Sequence, residues 1–270
     1  MDDIIQLGIF NFALIYVLLI IIIAVMRRSR IDQTKTLMVA CLRMTVQLVL
    51  AGLILTVVFD NPEWWITLIY LVVMILFASY LVISKNRWLN RKFRMYVILA
   101  IGSSGLCVLI YFILFVMNAD LFNPQYAIPL AGMIVGNSMT GMTLGLRSFS
   151  TELTSNTERI DALLNIGAEP RDILNPFVNK AVEFALMPTI NSMLGMGIIS
   201  LPGMMTGQIL SGTAPTVAVL YQIAILIAIS VAVCMTVFIA LNLGYRTLYN
   251  ERNQMTFVFS DAKTLPKTKK

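Results

Sequence analysis

Apolar and polar positions along this chain are grouped in long blocks, with no short repeating period. Apolar runs at 8–26, 37–59, 64–84, 95–117, 126–146, 179–200 and 216–243 are each long enough, at about 1.5 Å per residue, to cross a hydrocarbon core of about 30 Å. They predict seven membrane-spanning helices. None shows the period-two alternation of a barrel strand, and in lipid only helices and closed barrels satisfy their own backbone groups. The expected fold is therefore all-α, a bundle of about seven transmembrane helices forming one membrane domain over 1–270. Between the fifth and sixth runs lies the one extended polar interruption, 147–178.

Composition narrows the class further. With 58% hydrophobic residues, 13% charged and a mean hydropathy of +0.82, the chain falls outside the soluble globular range. Its 270 residues and 30.1 kDa leave little for a soluble or catalytic domain. A formal charge of +6 and a pI of about 9.3 could suit nucleic acid, but the basic residues cluster at span ends, as ordinary membrane topology requires. Nucleic acid is excluded as a partner, and membrane lipid is the expected surrounding. The chain opens Met1-Asp2-Asp3, without a basic region or a small-residue cleavage site after the first run, so that run reads as a retained span. Cys41, Cys107 and Cys234 lie far apart and histidine is absent, which leaves neither a disulfide framework nor a zinc motif.

Lysine and arginine set the orientation. Arg27, Arg28, Arg30 and Lys35 follow the first span, and Lys85, Arg87, Arg91, Lys92 and Arg94 follow the third; such loops face the cytosol. The alternate connections, 60–63, 118–125 and 201–215, carry neither residue and are expected outside. Arg147, Arg159, Arg171 and Lys180 place 147–178 inside, as Arg246, Arg252, Lys263, Lys267, Lys269 and Lys270 place the C-terminus. The expectation is a multi-pass protein of the cell membrane with its N-terminus outside and its C-terminus cytosolic. Trp64, Trp65 and Trp88 sit where interfacial aromatic belts occur.

Two segments depart from plain spans. In 132–145, small residues at Gly132, Gly136 and Thr140 share a helical face, which suits close helix packing or a lined path. Asn137 beside them needs a partner, so it either bridges helices or faces water. The second segment, 201–215, is uncharged, bounded by Pro202 and Pro215, and carries Gly203, Gly207 and Ser211 at four-residue spacing. It is either a short helix dipping back against the bundle or an external loop, since prolines forbid one uninterrupted helix.

Polar groups inside the spans supply translocation-path candidates. Arg43 and Gln47 share one face of the second span, while Glu183, Pro188, Asn191 and Ser192 lie in the sixth. An ionisable residue in a span is a functional candidate, yet Arg43 and Glu183 are also near enough to the cytosolic interface to anchor there. Pro188 predicts a kink that frees carbonyls near Asn191. The 17 methionines can bind soft metals or act as flexible apolar filler, and their irregular spacing favours filler. No metal-ligand set is legible.

The polar segment itself predicts a short amphipathic helix. Ser155, Asn156 or Thr157 can cap its start and Gly167 can end it in the left-handed conformation. Glu158, Arg159, Asp161 and Asn165 would face water, with Ile160, Leu163, Leu164 and Ile166 supplying apolar surface. Such a helix can pack on its own bundle or insert into a groove of another protein.

Asp161-Ala162-Leu163, three residues on Gly167-Ala168, and Pro170 resemble the Glu-Ala-Ala-x-x-x-Gly loop by which permeases of ABC transporters meet their ATPases. Here Asp replaces Glu, Leu replaces the second Ala, and Asn179-Lys180 stands where importers carry Leu-Pro. A fuller likeness is to the FetB-type permeases, a family that includes a bacterial iron exporter and plant aluminium-tolerance relatives. It is carried by 128–137, 164–170, Pro188-Thr189, 200–207 and Tyr221-Gln222. The resemblance implies a permease subunit exporting metal ions, without an ATPase site of its own, as a homodimer with two cytosolic ATP-binding cassette subunits. Asp161, Ala162, Leu163, Gly167, Ala168 and Pro170 would then couple it to those subunits. The chain lacks a Gly-x-x-x-x-Gly-Lys-Ser/Thr sequence, so ATP and Mg are expected in the partner subunit and no cofactor in this chain. The competing class is an ion-coupled secondary transporter or channel using Glu183 and Arg43, for which chains of buried carboxylates and histidines would be expected.

Overall fold

The structure, a computed structural model, describes residues 8–249. Every named element in them is helical, and Met196 and Ser200 pair as an isolated bridge. Two compact units divide between Asn61 and Pro62. The first contains α1 (Ile9–Arg28) and α2 (Thr34–Asp60), joined by a turn in which Arg30 takes φ 53°. Thr45 Oγ1 donates to the Cys41 carbonyl at 3.0 Å, so the Tyr16 hydroxyl is the donor in the 2.7 Å bond that ties α1 to α2. Val58 is the buried residue of α2; its remaining apolar surface suits lipid or protein contact.

The second unit contains α3 (Trp64–Lys85), α4 (Arg91–Tyr111) with a π-helical turn Phe112–Val116, α5 (Pro124–Ser155), α6 (Thr157–Asn165), α7 (Pro170–Gly195), α8 (Gly203–Leu210), α9 (Pro215–Gly244) and a 3₁₀ turn Tyr245–Leu248. Local chemistry sets the helix starts. Asn90 Oδ1 accepts from the Phe93 amide at 2.7 Å to cap α4, and Asn123 Oδ1 accepts from the Gln125 amide at 3.0 Å before α5. Pro124, Pro170 and Pro215 occupy first helical positions, where the missing N–H costs nothing.

α9 packs against α4, α5, α7 and α8, and α5 against α3, α4 and α7. Phe93, Ile101, Leu109, Ile134, Leu146 and Phe149 are among the fully buried side chains of the resulting core. The tightest approaches are at glycines. A β-carbon on Gly141 would come within 2.5 Å of Val233 Cγ1, and one on Gly145 within 2.8 Å of Val237 Cγ1. Gly244 lies against the ring of Phe93, which leaves no room for a side chain. At the same end Asn90 Nδ2 donates to the Thr247 carbonyl at 3.0 Å, fastening the start of α4 to the turn after α9.

Several boundaries differ from the sequence expectation. Segment 147–178 is nearly all helical: α5 runs on to Ser155 and α7 begins at Pro170. Charged residues at a membrane edge end the apolar run without ending the helix, because lysine, arginine and glutamate are good helix formers. The span expected at 179–200 stops at Gly195. Pro188 withholds the N–H that would bond the carbonyl four residues back, so the acceptor it frees is that of Phe184, not one beside Asn191. Segment 201–215 contains the short helix α8 packed on α9. Five helices among the described residues are long and apolar enough to cross a membrane: α2, α3, α4 with its π turn, α5, and α9 with its 3₁₀ turn. The C-terminal Arg252, Lys263, Lys267, Lys269 and Lys270, like Met1, Asp2 and Asp3, lie outside the described residues.

Candidate functional site

The segment around α6 forms a short amphipathic helix at one end of the second unit. Nine residues, Thr157–Asn165, form the helix. Ile160 is fully buried and Leu163 and Leu164 pack on the core, whereas Glu158, Arg159, Asp161, Ala162 and Asn165 are exposed. Burial of one stripe orients the helix and presents the opposite face. Gly167 takes φ +89° and its amide donates to the Leu164 carbonyl at 3.0 Å, while the Ala168 amide donates to the Leu163 carbonyl at 3.0 Å. This is the left-handed glycine stop read from sequence. Ile166, expected on the apolar face, is instead 80% exposed beside Gly167, since it falls past the last helical residue. Ala168 and Pro170 are half-buried, where the chain turns into α7.

The flanking helices hold α6 from both sides. Lys180 Nζ lies 2.5 Å from Glu152 Oε1, joining the first turns of α7 to the last turns of α5. Tyr249, beyond the final 3₁₀ turn, has its phenol pushed up from 10.0 to about 12, first by burial and then by the negative charge of Asp161. Its hydroxyl is buried without a hydrogen-bond partner among the described residues. The exposed acid of α6 therefore acts on the end of α9.

The path candidates separate by unit. Arg43 and Gln47 are exposed on α2 in the first unit. Asn137 on α5 and Glu183 and Asn191 on α7 belong to the second, on exposed surfaces of neighbouring helices. Asn137 Nδ2 donates to the Met133 carbonyl at 2.7 Å and Ser192 Oγ to the Pro188 carbonyl at 2.9 Å, so both use their own helix as partner. Of the packing glycines, a β-carbon on Gly132 would meet Met74 Cε at 3.4 Å, while Gly136, Gly203 and Gly207 have open space. The glycines in tight contact, Gly141 and Gly145, stand next to the segment's expected face.

Sequence reasoning did not single out Glu152, Tyr249, Gln208 or Gln222 as site residues. The pairing of Glu152 with Lys180 across two helices has no sequence spacing to reveal it. Gln208 and Gln222 were visible as polar residues in apolar surroundings, which is the signal that marks a candidate in a membrane helix. Gln222 is 7% exposed, and the side-chain oxygens of both lack a partner among the described residues.

Residues 9–249 match the model of a family described as Uncharacterised protein family (UPF0014). The chain is 32% identical over 238 residues to the UPF0014 membrane protein slr1647 of Synechocystis, covering 86% of this chain and 90% of the relative. It is 26% identical over 245 residues to the Escherichia coli protein named Probable iron export permease protein FetB, covering 91% and 93%. To the Arabidopsis thaliana Protein ALUMINUM SENSITIVE 3 it is 31% identical over 216 residues, covering 79% and 77%. No solved structure matches.

Proposed function

From the premise that this chain belongs to the UPF0014 family of membrane proteins, we propose that it is the permease subunit of an ABC transporter, exporting metal ions with ATP hydrolysed in a separate subunit. The carrying observation is α6: its buried Ile160 holds it to the bundle while Asp161 and Ala162 stay exposed to a partner. The printed name of the FetB relative supports metal export, and the basic loops support a cytosolic α6. On this reading two copies of the chain sit on two ATPases in the cell membrane.

ATP binding closes the ATPase pair and shifts α6. Because Glu152 and Lys180 bridge the helices on either side, that shift moves α5 and α7 together. Their exposed surfaces carry Asn137, Glu183 and Asn191, the groups that meet cargo as the path opens outward. The nucleotide need only bias two pre-existing arrangements. Reconstitution with an ATP-binding subunit tests this: Fe(II) on the inner side should raise ATP hydrolysis and accumulate across the bilayer. Hydrolysis indifferent to metal, or accumulation without ATP, refutes the reading.

A further inference from the structure

The contacts of Gly141 and Gly145 fix the register of three helices. Gly141 faces Val233 of α9 and the Ala185 carbonyl of α7, and Gly145 faces Val237 and the Ala181 carbonyl. Extending that register at about 1.5 Å per residue sets Gly195, the last residue of α7, level with Ala131 and with Gln222 and Ile223. By the same rise it stops about 10 Å below the outer end of α5 at Pro124 and about 12 Å below that of α9 at Pro215. The eight residues of α8 are about 12 Å long, matching the height that remains, and only 211–214 separate their end from the outer start of α9. α7 and α8 are thus two parts of one interrupted climb, with 196–202 unwound between them, inside the bilayer on the reading above.

The unwound turn is apolar at its tip, where Ile198 and Ile199 are 92% and 85% exposed. Two such residues belong in lipid or against protein, not in water. The turn satisfies part of itself: the Ile199 and Ser200 amides donate to the Gly195 carbonyl, and the Gly197 amide to the Ser200 carbonyl. Among the described residues the Ser192 and Leu194 carbonyls, in the last turn of α7, receive no backbone donor from it. Irregular backbone at membrane depth occurs where protein or a hydrated path covers it, and broken helices mark binding sites in transporters.

Unpartnered buried oxygens point the same way. Among the described residues Ser79, Ser104, Ser138 and Thr236 carry hydroxyls without a partner, but a hydroxyl both donates and accepts and can rotate towards its own helix. An amide oxygen only accepts. By that register Gln222 is level with the break on α9, against which α7 and α8 both pack, and Gln208 is on α8; the side-chain oxygens of both are buried without a partner among the described residues. What both lack is a donor or a cation. The connection 201–215 has no lysine or arginine to supply one. The last carbonyls of α7 bring its negative dipole end to the break, facing the start of α8.

We propose that the break between α7 and α8 is a cation site in which Gln222 Oε1, Gln208 Oε1 and the Ser192 and Leu194 carbonyls coordinate a partly dehydrated metal ion on its way out. That the cation is a metal rests on the reading of the chain as a metal exporter. Neutral oxygens alone hold a divalent ion weakly, which suits a site that must also release it.

The test uses the full chain in lipid nanodiscs, with Mn(II) as probe followed by its electron paramagnetic resonance signal. Gln222→Leu should weaken Mn(II) binding by about tenfold or more, and Gln208→Leu should weaken it to a lesser degree. Gln222→Glu should tighten it, which a folding defect would not do. Wild type that binds no Mn(II) at millimolar concentration, or leucine variants that bind like wild type, overturns the site. So does a Gln222→Glu variant no tighter than wild type. The transport reading fails separately: if metal does not stimulate the partner ATPase while the variants shift Mn(II) affinity as described, the site stands. Stimulation that persists unchanged in Gln222→Leu, with unchanged Mn(II) binding, removes the site and keeps the exporter.

Discussion

The Lys180 ammonium lies 2.5 Å from the Glu152 carboxylate, so the two helices that flank α6 are pinned to each other where α6 meets them. Their side chains are 48% and 21% exposed, and a pair so wetted contributes roughly 0–1 kcal/mol to stability. On the proposed coupling through α6, its larger consequence is mechanical. Lys180→Met should leave thermal stability nearly unchanged but lower the cargo moved per ATP hydrolysed, measured in vesicles carrying both subunits. The charge-swapped double variant Glu152→Lys, Lys180→Glu should restore that ratio; failure to restore it would show that the pair is not a link.

Gly141 and Gly145 predict a sharp contrast with Gly136. Valine at Gly145 would press on Val237, where even a β-carbon comes within 2.8 Å, and overpacking of this kind costs about 1–3 kcal/mol. Gly136→Ala meets nothing within 4 Å and should stay within about 0.5 kcal/mol of wild type. Unfolding in mixed micelles of denaturing detergent measures both. Equal losses at the two positions would contradict the packing described.

These glycines also show what the sequence could and could not reveal. A small-xxx-small spacing appears at 132, 136 and 140 and again at 141 and 145; spacing alone does not say which face another helix will meet. The left-handed stop at Gly167 was legible because its cause is local. So was the amphipathic stripe of α6, except at Ile166, where the helix ends one residue earlier than the apolar pattern does. Helix ends at 155 and 170 were missed because hydropathy reports lipid contact and not backbone conformation. The break after Gly195 shows its glycines and proline in the sequence, but its height in the bundle comes only from contacts among α5, α7 and α9.

Tyr249 offers a readout of how α6 sits against the end of α9. Its folded-state phenol is raised to about 12, by burial first and Asp161 second. A raised value means the fold favours the neutral phenol, so its contribution to stability is whole below pH 10 and is lost as pH climbs from about 10 to about 12. The phenolate absorbance of wild type minus that of Tyr249→Phe should show this late titration. Asp161→Asn should bring it down only part of the way, because burial is the larger cause. A Tyr249 that titrates like a free phenol would place α6 elsewhere.

The docking role of α6 is the central claim, and Ala162 tests it most directly because it is exposed and its replacement leaves the bundle untouched. The measurement is copurification in mild detergent of this chain with an ATP-binding subunit that carries a Gly-x-x-x-x-Gly-Lys-Ser/Thr sequence. Wild type should retain the subunit in near-equal amounts, and Ala162→Glu should lose most of it while the permease keeps its yield and thermal stability. Full retention of the subunit by Ala162→Glu, with metal-stimulated hydrolysis intact, would contradict the account.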